Sequence, residues 1–345
     1  MNPPRAKAPR KAVVLLSGGL DSTLAARMLL DQGIELHAIH FTSPFCTCSG
    51  GGRGNGAGCR SQAQAVAGQL GIAIRTVSKG EEYLGLVRSP RHGRGSGMNP
   101  CIDCRIFTLS KARAYMEEIG ASFLVTGEVL GQRPMSQRED ALRSIEKHSG
   151  CSGIVLRPLS ARNLPPTVPE REGWVDREKL LAIAGRSRKE QMRLAREWSI
   201  GDYPCPAGGC LLTDRTFAVK VRDLVEKDPS FGMDDVHLLK VGRHFRVGAV
   251  KAVVAKSEPE NRRLEALCRG KRTVYISDSH PGPSVTLEGG EPLDRMDVLS
   301  RILTRYSKAG RPGPFEVREV SPTGERKVVV PGNGDFSEVA RGLLC

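Results

Sequence analysis

Residues 11–33 read KAVVLL, SGGLDST, LAARMLLDQG, and these three parts decide the fold. Residues 11–16 are an apolar, β-branched run of strand length, cut off at once by Ser17-Gly18-Gly19. Such a run predicts a buried strand. The segment that follows has helical spacing and closes on Gly33. Residues 35–41, ELHAIHF, read as the next strand. Strand, glycine turn, helix and strand predict a right-handed βαβ unit, with the turn at the carboxyl end of a parallel sheet. The expected fold class is therefore α/β, a doubly wound parallel sheet.

Glycines in the turn, Gly18 and Gly19, let the backbone approach a ligand closely. The helix that follows directs unpaired N–H groups and its positive dipole end at any anion held there. Ser17, Ser22 and Thr23 add hydroxyl donors. Asp21 is the odd member: beside a phosphate, a carboxylate serves to hold Mg²⁺ or to orient a backbone amide. The plain alternative is an Asp/Ser N-cap after a tight turn. The loop lacks the GKS or GKT ending of a Walker A and is not GxGxxG, which disfavours a dinucleotide site.

The string VVLLSGGLDST resembles the SGGxDS loop of the PP-loop ATP pyrophosphatases. That resemblance implies an adenine nucleotide alpha hydrolase-like sheet that binds ATP over Ser17, Gly18, Gly19, Asp21, Ser22 and Thr23. It further implies cleavage between the α and β phosphates, with Mg²⁺, and adenylation of a substrate. The substrate itself is left open, since the superfamily includes GMP, asparagine and argininosuccinate synthetases as well as tRNA thiolases.

Ten cysteines narrow the choice. Without a secretory signal, metal ligation or thiol chemistry is the default reading. In Asn99-Pro100-Cys101-Ile102-Asp103-Cys104, the proline precedes a helical run ending at Gly120. Cys101 and Cys104 thus fall in a first turn, where the dipole favours thiolate. A CxxC alone is also half of a zinc site or a redox pair. Cys210, on a glycine-rich segment, is the third candidate. Three thiolates are one short of a closed tetrahedral zinc site and suit a 4Fe–4S cluster with one open iron.

The pattern resembles the iron–sulfur-dependent tRNA thiolases of the same superfamily. NPCIDC is also similar to the NP-D-x-x-C element of the bacterial tRNA 2-thiouridylases. Carried over, Cys104 takes the place of their catalytic cysteine, Cys101 stands where they have Asp, and Cys210 corresponds to their second cysteine. A cysteine at that first position favours the cluster over a persulfide route. Cys205 is a substitute ligand. Cys46, Cys48 and Cys59 bracket a glycine-rich loop and read either as a second metal site or sulfur relay, or as incidental. Cys151, Cys268 and Cys345 read as structural or incidental.

Residues 123–126, FLVT, form a short buried strand running into Gly127 and Glu128. In the thiolase relatives a Thr-Gly-x segment in this place lines the ATP site. The resemblance thus makes Gly127 and Glu128 nucleotide neighbours, with Gln132 and Arg133 beside them; a plain loop before a helix from about Gln137 is the alternative. Residues 154–156 are the last sheet strand, after which Arg157 could face phosphate. LPPTVPEREG is a surface excursion and DREKLLAIAG a helix. A further helix from Arg186 to about Trp198 carries Arg186, Arg188, Lys189, Arg193 and Arg196, a basic face suited to RNA backbone or simply to solvent.

From about Ser230 short alternating runs, HLLKVGRHFRV, KAVVAKS, TVYISDS, SVTLEG, FEVREV and KVVVPG, read as antiparallel strands, and NRRLEAL and DRMDVLSRILTRYSK as helices. The expected organisation is a tail over 1–10, a catalytic domain over 11–228 and a smaller α+β domain over 229–345. VGRHFRVG, PENRRLEAL, DSHPGPSVTLEG and LTRYSKAG resemble the RNA-binding domain of NFACT proteins. That implies phosphate contacts by Arg243, Arg262, Arg263, Lys271, Arg272, Arg305 and Lys308. With the glycine loop beginning at residue 17, tRNA gripping is expected from this side.

Across 345 residues, 52 Lys and Arg against 38 Asp and Glu leave +14, which favours a polyanionic partner. No run approaches the roughly 18 apolar residues a membrane span needs, so a cytoplasmic protein is expected. The expectations converge on an ATP-dependent tRNA sulfurtransferase with a sulfur donor that is free sulfide or a persulfide carrier. Two alternatives stand beside it: a PP-loop ligase or amidotransferase acting on a small molecule with structural zinc, and a non-catalytic RNA-binding protein.

Overall fold

Strand β1 (Lys11–Leu15) is buried on both faces, and its residues alternate between two cores. This computed structural model describes residues 10–47, 59–201, 209–278, 280–306, 313–332 and 334–344, with only the backbone for 59 and 60. The chain divides into two units, Met1–Thr213 and Asp214–Cys345.

In the first unit β1 is followed by α1 (Leu20–Leu30), β2 (Glu35–Thr42), α2 (Cys59–Leu70), β3 (Ala73–Ser78), α3 (Glu81–Arg88), α4 (Cys101–Glu118), β4 (Phe123–Thr126), α5 (Glu139–Ser149), β5 (Val155–Leu156), α6 (Val168–Arg171) and α7 (Lys189–Glu197). The five strands form a parallel sheet in the order β3-β2-β1-β4-β5. Ala12, Val14 and Leu16 pack with Leu20, Leu24 and Leu29 of α1, Val66 of α2 and Leu194 of α7. Val13 and Leu15 pack on the other side with Leu109, Ala112 and Tyr115 of α4 and Ile145 of α5. Helices on both faces explain why β1 is a continuous apolar run rather than an alternating one. The strand order reverses between β1 and β4, and that switch point is where such a sheet opens a crevice at its carboxyl edge.

Two local expectations are corrected. Residues 176–185 are not a helix. After a single 3-10 turn at Arg177–Lys179 the backbone is extended, and its bonds go to residues 158–162: Leu181 N–H to the Pro158 carbonyl, Ile183 N–H to Leu159, and Arg162 N–H to Leu181. Long-range pairing outbids the helix-forming residues of KLLAIA. The proline-rich excursion also contains α6, started by a capping box in which Glu170 accepts from the Thr167 N–H at 2.7 Å.

The second unit runs α8 (Arg215–Lys227), α9 (Met233–Leu238), β6 (Arg243–Val247), β7 (Val250–Val254), α10 (Glu258–Cys268), β8 (Val274–Ser277), β9 (Val285–Glu288), α11 (Pro292–Tyr306), β10 (Phe315–Ser321), β11 (Gly324–Val330), α12 (Ser337–Arg341) and β12 (Leu343–Leu344). Its seven strands form an antiparallel sheet in the order β11-β10-β8-β9-β7-β6-β12. Ala252 and Val254 face Val298, Leu299 and Ile302 of α11, whereas Val253 faces Leu264 and Cys268 of α10. Helix α8, which sequence reasoning placed at the end of the first domain, belongs here. Its Asp223 pairs with Arg246 at 2.8 Å and Lys251 at 3.3 Å. The run HLLKVGRHFRV is strand only over Arg243–Val247, because residues 237 and 238 complete α9.

Among the described residues no helix is long and apolar enough to cross a membrane.

Candidate functional site

Four loops at the carboxyl ends of β1, β2, β3 and β4 carry the chemistry. After β1, Gly18 adopts φ 78° and packs so tightly on α2 that an added Cβ would stand 2.8 Å from the Ala63 nitrogen. After β4, a Cβ on Gly127 would meet the Ser22 nitrogen at 2.4 Å. Glycine at 127 therefore lets the first turn of α1 sit directly on the end of the neighbouring strand. The turn is held internally. Ser17 N–H donates to the Ser22 Oγ at 3.2 Å, and the Ser22 and Thr23 hydroxyls donate to the Gly19 carbonyl at 2.9 and 3.1 Å. The Gly19 N–H reaches the Ser17 Oγ at 3.3 Å. Asp21, Ser22 and Thr23 lie within α1 itself, so the helix starts earlier than its apolar spacing suggests. Its first N–H groups have no acceptor inside the helix and point out of the loop.

Asp21 is fixed on one side only. Gln132 Nε2 donates to its Oδ2 at 3.1 Å, while its Oδ1 is buried and has no hydrogen-bond partner. Burial pushes the Asp21 carboxyl up from its ordinary range, against the Gln132 bond and the nearby Arg188 and Arg133 guanidinium groups. An orphaned buried carboxylate oxygen beside unpaired helix amides fits a Mg²⁺ carried in with a polyphosphate.

Arg188, expected on a basic helix face turned to RNA or to solvent, is the N-cap of α7 and acts electrostatically on Asp21. On the same helix Arg193 is tied to Glu190 and Glu197. Glu128 and Arg157 also take other roles. The Glu128 carboxylate is buried and bonded to Arg105 at 3.1 Å and Arg157 at 3.1 Å, and Arg157, 3% exposed, also pairs with Glu146. Burial alone would push Glu128 up, but Arg105 and Arg157 hold it below the usual carboxylate range. With those bonds made, Glu128 joins β4 to α4 and the exit of β5 rather than facing a ligand, and Arg157 is not offered to phosphate.

The second constellation is built from α4, β3 and two remote segments. Pro100 is the N-cap of α4, so Cys101 and Cys104 stand in its first turn as expected. Asn99, 6% exposed, donates its amide to the Cys101 Sγ at 3.1 Å. Lys79, at the end of β3 and 9% exposed, donates to the Cys104 Sγ at 3.0 Å, and its ammonium lies 5.1 Å above the Tyr83 ring. Burial pushes the Cys104 thiol up, but the Lys79 ammonium, with a hydrogen bond from Tyr83, outweighs it and holds Cys104 below the ordinary cysteine range. The surroundings of Cys104 thus favour its thiolate form.

Cys210 is brought to it by backbone. Leu212 accepts from the Met98 N–H at 2.8 Å, just before the CxxC, and Leu211 N–H donates to the Phe45 carbonyl at 2.7 Å. Burial pushes the Cys210 thiol up to about 12, helped by the negative charge of Cys104 and Cys101 nearby. The three sulfurs therefore feel one another electrostatically. In this arrangement no group of three Cys, His, Asp or Glu among the described residues is placed to hold a single metal ion. Three thiols on one helix turn and one facing segment are donors of the type that either a zinc ion or an iron–sulfur cluster takes.

Sequence reasoning missed Lys79 and Tyr83, because β3 carries no clear strand signal and its partner lies on another element. Cys151 and Cys268 are fully buried core residues, as expected. Cys48, Cys205, Cys345 and the Cys59 side chain lie outside the described residues.

In the second unit Arg272 is largely buried, with both Asp235 and Glu288 on its guanidinium, and Lys271 pairs with Asp234 at 2.7 Å. Arg262 pairs with Glu258 at 3.1 Å on an exposed turn of α10. Arg243 and Arg305 lie over the Tyr306 ring, at 5.1 and 5.8 Å from its centre, and Arg263 is exposed. Lys308 lies outside the described residues.

Comparison with known proteins falls along the same division. Residues 8–163 match the family model described as Thiamine biosynthesis protein (ThiI), and residues 242–333 match the NFACT protein RNA binding domain. The chain is 31% identical over 237 residues to the tRNA-specific 2-thiouridylase MnmA of Marinobacter nauticus, covering 66% of this chain and 56% of that protein. It is 34% identical over 123 residues to MnmA of Syntrophotalea carbinolica, 33% of each. The chain thus spans about half or less of the length of the curated relatives it matches. Among solved structures, a 4-thiouridine synthetase–RNA complex with bound ATP aligns at TM-score 0.38 and 23% identity, over 67% of this chain and 52% of that one. The U34-tRNA thiolase NcsA from Methanococcus maripaludis, with its 4Fe–4S cluster, aligns at TM-score 0.31 and 20% identity, over 67% and 69%.

Proposed function

We propose that this chain, a ThiI-like PP-loop domain over residues 8–163 followed by an NFACT RNA-binding domain over 242–333, is an ATP-dependent tRNA sulfurtransferase. The observation that supports the reading is the Lys79 contact to Cys104, one helix turn from Cys101, with Cys210 raised by the charge of both, near the sheet edge that also bears the glycine loop. Both halves of a thiolation, activation by ATP and delivery of sulfur, are thereby supplied at one edge.

The unpaired amides of α1 and the Ser17 hydroxyl bind the phosphates, and Asp21, oriented by Gln132, would hold a Mg²⁺ that offsets phosphate charge. A uridine carbonyl oxygen attacks the α-phosphorus and pyrophosphate leaves, so that oxygen becomes part of an AMP leaving group. A sulfur nucleophile then adds at the same carbon and AMP departs. Cys101, Cys104 and Cys210 would hold a 4Fe–4S cluster, which supplies an open iron for sulfide. Lys79 favours the Cys104 thiolate, Asn99 orients Cys101, and burial around Tyr83 limits water at the thiols. The preferred product is 4-thiouridine, with 2-thiouridine, the product class in the curated relatives' names, as the alternative. Arg243, Arg263 and Arg305 contact tRNA, with Arg262 and Lys271 giving up exposed ion pairs to join them.

Nucleoside analysis of bulk tRNA from a deletion strain tests this: one thionucleoside disappears and names the product, while an unchanged profile sinks the reading. Anaerobic purification adds a second check, since a colourless, zinc-loaded protein would leave the small-molecule ligase reading instead.

A further inference from the structure

Cys46, after β2, lies directly across from Cys210 in an isolated antiparallel bridge. The bonds flank the pair rather than join it: Leu211 N–H to the Phe45 carbonyl at 2.7 Å, and Thr47 N–H to the Gly209 carbonyl at 3.2 Å. The Thr47 hydroxyl reaches the same Gly209 carbonyl at 3.0 Å. A pair flanked in this way is the narrow, non-hydrogen-bonded kind, with Cα atoms about 4.5 Å apart and side chains on one face of the ladder. That falls inside the roughly 4.4–6.8 Å window over which a disulfide closes without moving the backbone. Neither cysteine is disulfide-bonded in this structure.

We propose that Cys46 and Cys210 are a redox pair, closing to a disulfide in the presence of a low-molecular-weight disulfide and thereby withdrawing Cys210 from the thiol group at the CxxC. Cys46 loses its proton to solvent and its sulfur attacks the oxidant, forming a mixed disulfide and releasing one small thiolate. The Cys210 sulfur then attacks Cys46, its proton passes to the second departing thiolate, and the protein disulfide forms. Two protein thiols are oxidised, and one small disulfide is reduced to two thiols. The proposal rests on backbone register and is independent of what the enzyme thiolates.

The test uses the full chain, reduced, cleared of any cluster and incubated with oxidised glutathione. Remaining thiols are alkylated with iodoacetamide, and the non-reduced digest is mapped by mass spectrometry, with fragmentation separating Cys46 from Cys48 and Cys205 from Cys210. The expected result is a Cys46–Cys210 peptide holding most of the signal of both residues, with Cys101 and Cys104 alkylated. Dithiothreitol restores alkylation at both, and in Cys46→Ser Cys210 is found alkylated or glutathionylated. A dominant Cys104–Cys210 link, or Cys46 joined to any other cysteine, overturns the pairing. Loss of the tRNA thiolation reading would leave this map unchanged, so the two fail separately.

Discussion

Cys104 owes its character chiefly to one long-range contact, with Lys79. A thiol so placed would be raised by burial, and the helix start favours thiolate only modestly, within about 1 kcal/mol; the Lys79 ammonium at 3.0 Å reverses the balance. Lys79→Met should therefore move the pH midpoint of Cys104 alkylation upward from that of the unaltered protein. Because the folded pKa is depressed, the favourable Lys79 contact is present above that pKa and fades as pH falls through it. Alkylation rate against pH, with Cys101 and Cys210 replaced by Ser, reads the shift directly, and an unmoved midpoint would refute the assignment. Asp21 is the second decisive residue. Asp21→Asn keeps the Gln132 contact but removes the charge, and pyrophosphate release should fall by about 10²-fold, the scale of removing one preorganised electrostatic contact. Release at the original rate would show that Asp21 does not hold the metal.

Among the elements, the junction between β4 and α1 is the least forgiving. Gly127→Ala puts a methyl 2.4 Å from the Ser22 nitrogen, where backbone rather than a flexible side chain must yield. The expected cost is about 1–3 kcal/mol of stability, seen as a lower Tm, together with loss of the ATP-dependent rise in Tm. A variant that still gains stability from ATP as the parent does would mean that the loop tolerates displacement. Much at this scale was legible beforehand. FLVT is a strand at its expected bounds, and the glycine turn, the CxxC at a helix start and most C-terminal strands lie where the patterns put them. Residues 176–185 were not legible as extended chain, because their partners in 158–162 are set by packing rather than by their own propensity.

For the whole molecule, two units share a net charge of +14, yet charge alone does not mark which cations are available. Arg272, Arg157 and Arg188 are all basic in sequence, and each is committed to a carboxylate or beside one. The cations proposed above to contact RNA are Arg243 and Arg305 at Tyr306, together with exposed Arg263. Replacing Arg243, Arg263 and Arg305 by Ala should weaken tRNA binding and flatten its salt dependence by about 0.9 for each phosphate no longer neutralised, with ATP affinity unchanged. A salt slope equal to that of the parent would place the RNA surface elsewhere.

What the sequence by itself determined is local: a hydrophobic run of strand length, a glycine turn that only a close backbone approach requires, and a helix start carrying two cysteines. These fix a parallel sheet with a phosphate loop at its carboxyl edge, because strand, turn and helix signals lie within a few residues of one another. The state of each thiol was decided only in three dimensions. Lys79 reaches Cys104, Cys46 lies opposite Cys210, and Glu128 is taken by two arginines, because segments distant in sequence meet once helices and loops pack on the sheet β3-β2-β1-β4-β5. A thiol's pKa and its partner depend on such neighbours, through burial and charge at a few ångströms, and no local pattern encodes them.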